Sequence, residues 1–276
     1  MKFSYEVITS RNNPKVKWAA TLSSKKGRDN EHAFIAEGEK LSFEAFDARS
    51  PVTHVFICEA KKDRFSEKLS KYEADEFYKN TEVLFLSEGA FEKISTENAP
   101  QGIITVIKYL DFFRDIDIIY KEEFFLAAEE RAIILSSVRD PGNLGSVIRS
   151  AAAFGVDHVI LTSDCADFYN PKTVRSAMGS LFRVKIARVS DMEECIRVLI
   201  ENGRRVFSAE LSENAKSVSS VGLCASDIVI IGNEGHGVDP ALSAVSTGSV
   251  YIPISKKTES LNAAVAAAVF MWEQGK

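Results

Sequence analysis

Six short apolar runs in the second half of the chain constrain its fold more than any other feature. They are AIILSSV (132–138), HVILT (158–162), RVKIARV (183–189), RRVFSAE (204–210), DIVIIG (227–232) and SVYIPI (249–254). Helical stretches lie between or after them, from Asn143, in KTVRSAMG, in DMEECIRVLIENG and in LNAAVAAAVFMWEQ. Short apolar strands alternating with helices belong to a mainly parallel sheet covered on both faces. Such sheets bind ligands beyond the carboxyl ends of their strands, so the loops that follow the runs are where function is expected.

The first half reads as a separate, smaller unit. AFIAEG (33–38), HVFICE (54–59), EVLFLS (82–87) and GIITVI (102–107) have strand character, with helical stretches at 39–48 and 64–78. The segment 111–130 mixes aromatic and acidic residues without a clean period, so it reads as a connector. The expected division is a small α/β domain at 1–110, a linker at 111–127 and a larger α/β domain at 128–276.

Charge separates the two ends. The net formal charge is −5, yet up to residue 28 the chain carries Lys2, Arg11, Lys15, Lys17, Lys25, Lys26 and Arg28 against Glu6 alone. A basic arm on an acidic body points to a polyanion touched over a limited surface. The four cysteines, Cys58, Cys165, Cys195 and Cys224, form no CxxC pair, which argues against a disulfide framework or a zinc cage. The start MKFSYEVITSRNNPK has no apolar signal core, and nowhere do about eighteen apolar residues run together as a membrane span requires. A cytoplasmic protein with no membrane and no metal is expected.

Three loops hold the unusual residues. In RDPGNLGSVIR, Pro141 and Gly142 make a turn, and Asn143 is placed to cap the next helix. Arg149 then sits among Val147, Ile148, Ser150, Ala151, Ala152 and Ala153, an odd setting for a merely solvated cation. IIGNEGHGVDP puts Gly232, Gly235 and Gly237 around Asn233, Glu234 and His236, and three close glycines let backbone approach a ligand. In YIPISKKTESLNAAVAAAVF, Ser260 and Asn262 stand as candidate caps before an alanine-rich helix.

Taken together, NLGSVIR, VIIGNEGHGV and IPISKKTESLNAAVAAAVF resemble, in order and separation, the three motifs of the SpoU (TrmH) family of RNA ribose 2′-O-methyltransferases, within the SPOUT superfamily. NPKTVRSAMGSLFRV (170–184) is similar to the segment between the first two motifs. EGEKLSFEAF and PQGIITV resemble the L30e-like substrate-binding domain that precedes the catalytic domain in many members. The resemblance implies a deep trefoil knot in the C-terminal domain, S-adenosylmethionine as cofactor, and a homodimer with each active site near the subunit interface. It places Asn143, Arg149, Glu234, Ser260 and Asn262 in the catalytic constellation. Ser208, Ala209, Glu210, Ile230, Gly232, Asn233, Gly237, Ile252, Ser260 and Leu261 would bind the cofactor, largely through backbone atoms.

Methyl transfer to a ribose hydroxyl is an in-line displacement that needs the oxygen aimed at the methyl carbon and its proton removed. The resemblance gives Arg149 the role of base. A guanidinium releases its proton reluctantly, so holding the phosphate beside the target ribose by paired hydrogen bonds is the other reading. The small domain would grip RNA through Arg11, Asn12, Lys15, Lys17, Lys25, Lys26 and Arg28, with Lys172 and Arg175 as further contacts. Trp18 stands either as a base-stacking residue or, from its helical spacing to Leu22, as core. The L30e-like domain favours ribosomal over transfer RNA as substrate. A nicotinamide oxidoreductase is a poor match, because RDPGNLG is not GxGxxG. A non-catalytic RNA-binding protein is opposed by the presence of all five catalytic positions.

Overall fold

Two units, each with its own sheet, make up the chain: residues Met1–Leu110 with Asp167–Phe182, and Asp111–Ala166 with Arg183–Lys276. The structure is a computed structural model and describes residues 1–110, 113–116, 126–127, 129–233, 235–255 and 257–276. Among the described residues no helix is long and apolar enough to cross a membrane.

The first unit runs β1 (Lys2–Ile8), α1 (Pro14–Thr21), α2 (Lys25–Glu31), β2 (Ala33–Glu37), α3 (Glu39–Asp47), β3 (Val52–Cys58), α4 (Lys62–Glu73), β4 (Glu82–Leu86), α5 (Glu88–Glu92) and β5 (Ile103–Lys108). Its sheet has the order β1-β4-β3-β5-β2. The β1, β4 and β3 strands are parallel, while β5 runs antiparallel to both β3 and β2. Strand β1 lies within the segment that the sequence marks only as basic, and it is held as an edge strand by β4. Helix α1 begins where Asn13 Oδ1 accepts from the Lys15 N–H at 2.9 Å and Pro14 supplies a preset φ. Its Val16 and Ala19 pack with Leu22 against Ile35, Phe56, Leu84 and Ile104. Trp18 is half-buried against this core with its ring 4.6 Å from His54, so it belongs to the packing.

Arg28 is a correction to the expected RNA grip. It is 1% exposed, and its guanidinium donates to the carbonyls of Leu22 (3.0 Å) and Ser23 (2.9 Å) and to Asp167 Oδ2 (2.5 Å). A cation so enclosed ties the end of α1 to a distant part of the chain and has no face left for a phosphate.

The second unit opens with β6 (Phe113–Ile116), β7 (Ala132–Leu135), α6 (Pro141–Ala153) and β8 (His158–Thr162). The rest of 111–130 lies largely outside the described residues. Residues 167–182, with α7 (Pro171–Ala177), then pack in the first unit, and not with the rest of the 128–276 domain expected from sequence. Their aromatic partners explain it: Tyr169 stacks on Tyr109 at 4.1 Å and meets Phe34 at 4.6 Å, and its hydroxyl oxygen accepts from the Leu110 N–H at 2.8 Å.

The chain continues through β9 (Lys185–Val189), α8 (Met192–Glu201), β10 (Val206–Ala209), β11 (Lys216–Ser217), α9 (Val218–Val221), β12 (Ile228–Ile231), α10 (Pro240–Val245), β13 (Gly248–Tyr251) and α11 (Ala263–Gln274). The strand order is β11-β13-β10-β12-β7-β8-β9-β6, and every adjacent pair is parallel. One set of alternating strand residues, including Ile134, Ile160, Ile228 and Ile230, forms a core with Met192, Cys195, Ile196 and Leu199 of α8 and Leu242 of α10. The intervening residues Ile133, Leu135, Val159, Leu161, Val229 and Ile231 are equally buried and point the other way, as a two-residue period requires. Helices α6 and α11 pack on one another.

Candidate cofactor cleft and catalytic loops

Helix α6 starts earlier than the sequence indicates. Asp140 is the cap, its Oδ1 accepting from the Asn143 N–H at 2.9 Å, and Pro141 occupies the first turn. Asn143 therefore does not cap α6 with its side chain. Its Oδ1 instead accepts from Asn262 Nδ2 at 3.0 Å. Asn262 caps α11, with its Oδ1 accepting from the N–H groups of Ala264 (3.0 Å) and Val265 (3.4 Å). One carboxamide pair thus joins the N-termini of the two helices that carry the first and third motifs. Their far ends are joined as well, because the Arg131 guanidinium donates to the carbonyls of Phe154 and Met271, the latter at 2.7 Å.

Arg149 lies six residues beyond Asn143 on α6, about 9 Å along the axis at 1.5 Å per residue. It is exposed, and among the described residues it has neither an ion-pair nor a hydrogen-bond partner. Glu234, expected beside it, lies outside the described residues.

The carboxyl ends of β10, β12 and β13 open into a cleft of about 290 Å³, near the lower bound for ligand pockets. Ala209 and Glu210 line it after β10, Ile231, Gly232, Asn233 and Gly237 after β12, and Val250, Tyr251 and Ile252 after β13. Glu259, Ser260 and Leu261 form a further wall, and Ala263, Ala266 and Phe270 of α11 close it. Eight expected cofactor positions therefore surround one cavity: Ala209, Glu210, Gly232, Asn233, Gly237, Ile252, Ser260 and Leu261.

Ser208 and Ile230 do not line it. They are paired across β10 and β12, fully buried, and one residue short of the strand ends that reach the cleft. The spacing of Ala263, Ala266 and Phe270 puts them on one face of α11, the face that meets the cleft.

The glycine loop after β12 is closed on itself. Asn233 N–H donates to Gly237 O at 3.0 Å and Gly237 N–H to Asn233 O at 2.8 Å. A Cβ on Gly232 would lie 2.1 Å from the Gly237 carbonyl carbon, so only glycine fits without moving main chain. Asn233 Nδ2 also donates to Ser137 O at 3.1 Å, tying this loop to the one after β7. Glu210 is held at its head, because its Oε1 accepts from Ser243 Oγ (2.7 Å) and Ser249 Oγ (2.5 Å).

The expected RNA contacts fall into two groups. Arg11, Asn12 and Lys17 are exposed around one surface groove of the first unit, and Lys25 and Lys172 are also exposed. Lys15 and Arg175 are engaged. Lys15 donates to Glu82, holding that carboxyl below its usual range, and Arg175 pairs with Glu97.

An all-parallel sheet with helices on both faces and a cleft across three neighbouring strand ends defines a ligand-binding α/β unit, joined here to a mixed-sheet companion. The chain belongs to the SpoU rRNA Methylase family, whose model matches residues 130–272, and residues 13–105 match the MRM3-like substrate binding domain. It is 32% identical over 265 residues to the 23S rRNA (guanosine(2553)-2′-O)-methyltransferase RlmP of Bacillus subtilis (strain 168), covering 96% of this chain and 97% of that one. It is 28% identical to the 23S rRNA (uridine(2479)-2′-O)-methyltransferase of Streptomyces viridochromogenes, over 96% of this chain and 90% of that one. The crystal structure of an AdoMet-bound rRNA methyltransferase from Sinorhizobium meliloti superposes with a TM-score of 0.81 at 27% identity, covering 98% of this chain and 97% of that one.

Proposed function

We propose that this protein methylates a ribose 2′-hydroxyl in 23S ribosomal RNA, using S-adenosylmethionine held in the cleft at the ends of β10, β12 and β13. The observation that carries the reading is the convergence of loops from all three motif regions. The Gly232 loop and residues Ile252, Ile254, Glu259, Ser260 and Leu261 wall one cleft, and the Asn143–Asn262 bond links the start of α11 to α6. The cleft suits the cofactor: Ile231, Val250, Ile252, Leu261 and Phe270 offer apolar walls for a flat base, and Gly232, Asn233 and Gly237 bring the glycine loop to its edge. Bound there, S-adenosylmethionine supplies an electrophilic methyl group.

The side chains then orient and neutralise. Exposed Arg149 grips the phosphate beside the target ribose by paired charge-assisted hydrogen bonds. Asn143 and Asn262 fix the distance between α6 and the cofactor loops, so the two halves of the site hold their geometry. Ser260, on the wall of the cleft, belongs to the same constellation.

Two further features belong to the same reading. The order β12-β10-β13, with α11 returning to pack on α6, supports the trefoil knot. The groove along α6 and α11, lined by Asn143, Ser146, Ser150, Val265 and Trp272, leaves Val265 50% and Trp272 56% exposed. A second copy covering it would form the homodimer.

The test is transfer of labelled methyl from S-adenosylmethionine to total RNA from a strain lacking the gene, then digestion and mass spectrometry of the nucleosides. Label on 2′-O-methylated nucleosides of large-subunit RNA is expected. Label confined to transfer RNA or to bases would overturn the assignment.

A further inference from the structure

We infer that Arg11, Asn12, Lys17 and Lys93 form a single seat for RNA backbone phosphates on the first unit, with Lys93 a substrate contact that the basic N-terminal segment does not include. The inference rests on RNA being the substrate. The four side chains line one open groove of about 610 Å³ together with Ala20 and Thr21. Arg11, Asn12 and Lys17 come from the start of the chain. Lys93 is the C-cap of α5, more than seventy residues on. Folding, not sequence composition, brings the third cation to the other two.

The state of these cations separates them from their neighbours. Among the described residues neither Lys17 nor Lys93 has an ion pair. Arg11 meets Glu92 at 3.5 Å with both side chains more than half exposed, a weak contact that a phosphate can replace. Lys15, in the same helix as Lys17, is already committed to Glu82, and Arg28 is buried with Asp167. Three available positive charges beside a carboxamide in one open groove match a chain of phosphates. The groove has no buried polar side chain to close round a small anion, so an extended polyanion fits it better. Phosphate contacts of this kind set the register of an RNA on its enzyme without reading its sequence.

The test is binding of protein-free 23S ribosomal RNA across a salt series from 50 to 200 mM, by wild type, Lys17→Ala, Lys93→Ala, Lys93→Arg and Lys79→Ala. Each lost phosphate contact is expected to reduce the slope of log affinity against log salt by about 0.7 to 0.9, which makes affinity about three-fold less sensitive over that range. Lys17→Ala and Lys93→Ala should each show this and raise KM for the RNA. Lys93→Arg should keep the wild-type slope. Lys79, an exposed lysine outside the groove, should behave as wild type when replaced.

An unchanged slope in either alanine variant, an equal loss in Lys79→Ala, or salt-independent binding by the wild type each overturns the groove. Methyl transfer measured on the same RNA separates the two claims. Binding with the expected slopes but no 2′-O-methylation defeats the proposed function and leaves the groove standing. Methylation with no effect of Lys17→Ala or Lys93→Ala on KM does the reverse.

Discussion

Removing the carboxylate of Asp167 should destabilise the first unit by about 3 kcal/mol, at the low end of the 3–5 kcal/mol for breaking a buried ion pair. Asp167→Ala leaves the Arg28 guanidinium 2% exposed with no counter-charge. The low end applies because the carbonyls of Leu22 and Ser23 still accept from it. Asp167→Asn keeps an acceptor and loses only the charge, so about 2 kcal/mol is expected. Adding Arg28→Met to Asp167→Ala should recover part of the loss, since an apolar side chain costs less to bury than an unpaired cation. The two tryptophans make the assay specific, because Trp18 lies in the first unit and Trp272 in the second. Urea unfolding followed by Trp18 in a Trp272→Phe background reads the first unit, and Trp272 in a Trp18→Phe background reads the second. A shift below about 1 kcal/mol on Trp18, or a double variant as unstable as the sum of the singles, refutes the account of Arg28. A loss seen by Trp272 and not by Trp18 refutes the placement of residues 167–182 in the first unit.

Three other outcomes follow from the second unit. Arg149→Ala should reduce methyl transfer by at least about 100-fold, while calorimetry shows S-adenosylmethionine affinity nearly unchanged; a matching loss of affinity would mean the arginine belongs to the cofactor cleft. Gly232→Ala should weaken cofactor binding on the order of ten-fold, about 1.4 kcal/mol, because its Cβ meets Gly237 main chain. Gly235→Ala, whose Cβ would come no nearer than 3.3 Å to Asn233 Oδ1, should do much less. Acid should destabilise this unit in two stages. Burial lowers the His158 pKa, so below about 6.5 the unfolded chain takes up a proton more readily than the fold does. The Lys185 ammonium first, with His158, holds the Glu130 carboxyl down at about 2, so its contribution is full above 4.5 and lost as pH falls from there toward 2. Glu130→Gln should flatten the lower stage of a Trp272-monitored pH series, and a slope unchanged by it would exclude Glu130 as the source.

The sheet of the second unit was legible because its strands are apolar on both faces, and the cleft followed from the rule that parallel strands present ligands at their carboxyl ends. What escaped was set by partners far along the chain. Asp140 and Asn143 are both acceptable caps, and the choice turns on Pro141, which fits the first helical position and so puts the cap immediately before it. That clue was present in the sequence, whereas the consequence was not: only the fold shows that the released Asn143 carboxamide meets Asn262, 119 residues away. The basic segment shows the same limit. Its residues share a composition, yet Lys15 is consumed by Glu82 and Arg28 by Asp167, while Arg11 and Lys17 stay exposed beside Lys93. A count of charges cannot separate these cases, because desolvation and pairing decide whether a cation holds the protein together or faces a polyanion. Functional assignment of the arm therefore depends on the acidic partners supplied by β4 and by residues 167–182. If those carboxylates were removed, Lys15 would join the phosphate-facing set, but Arg28 would remain a buried, uncompensated charge.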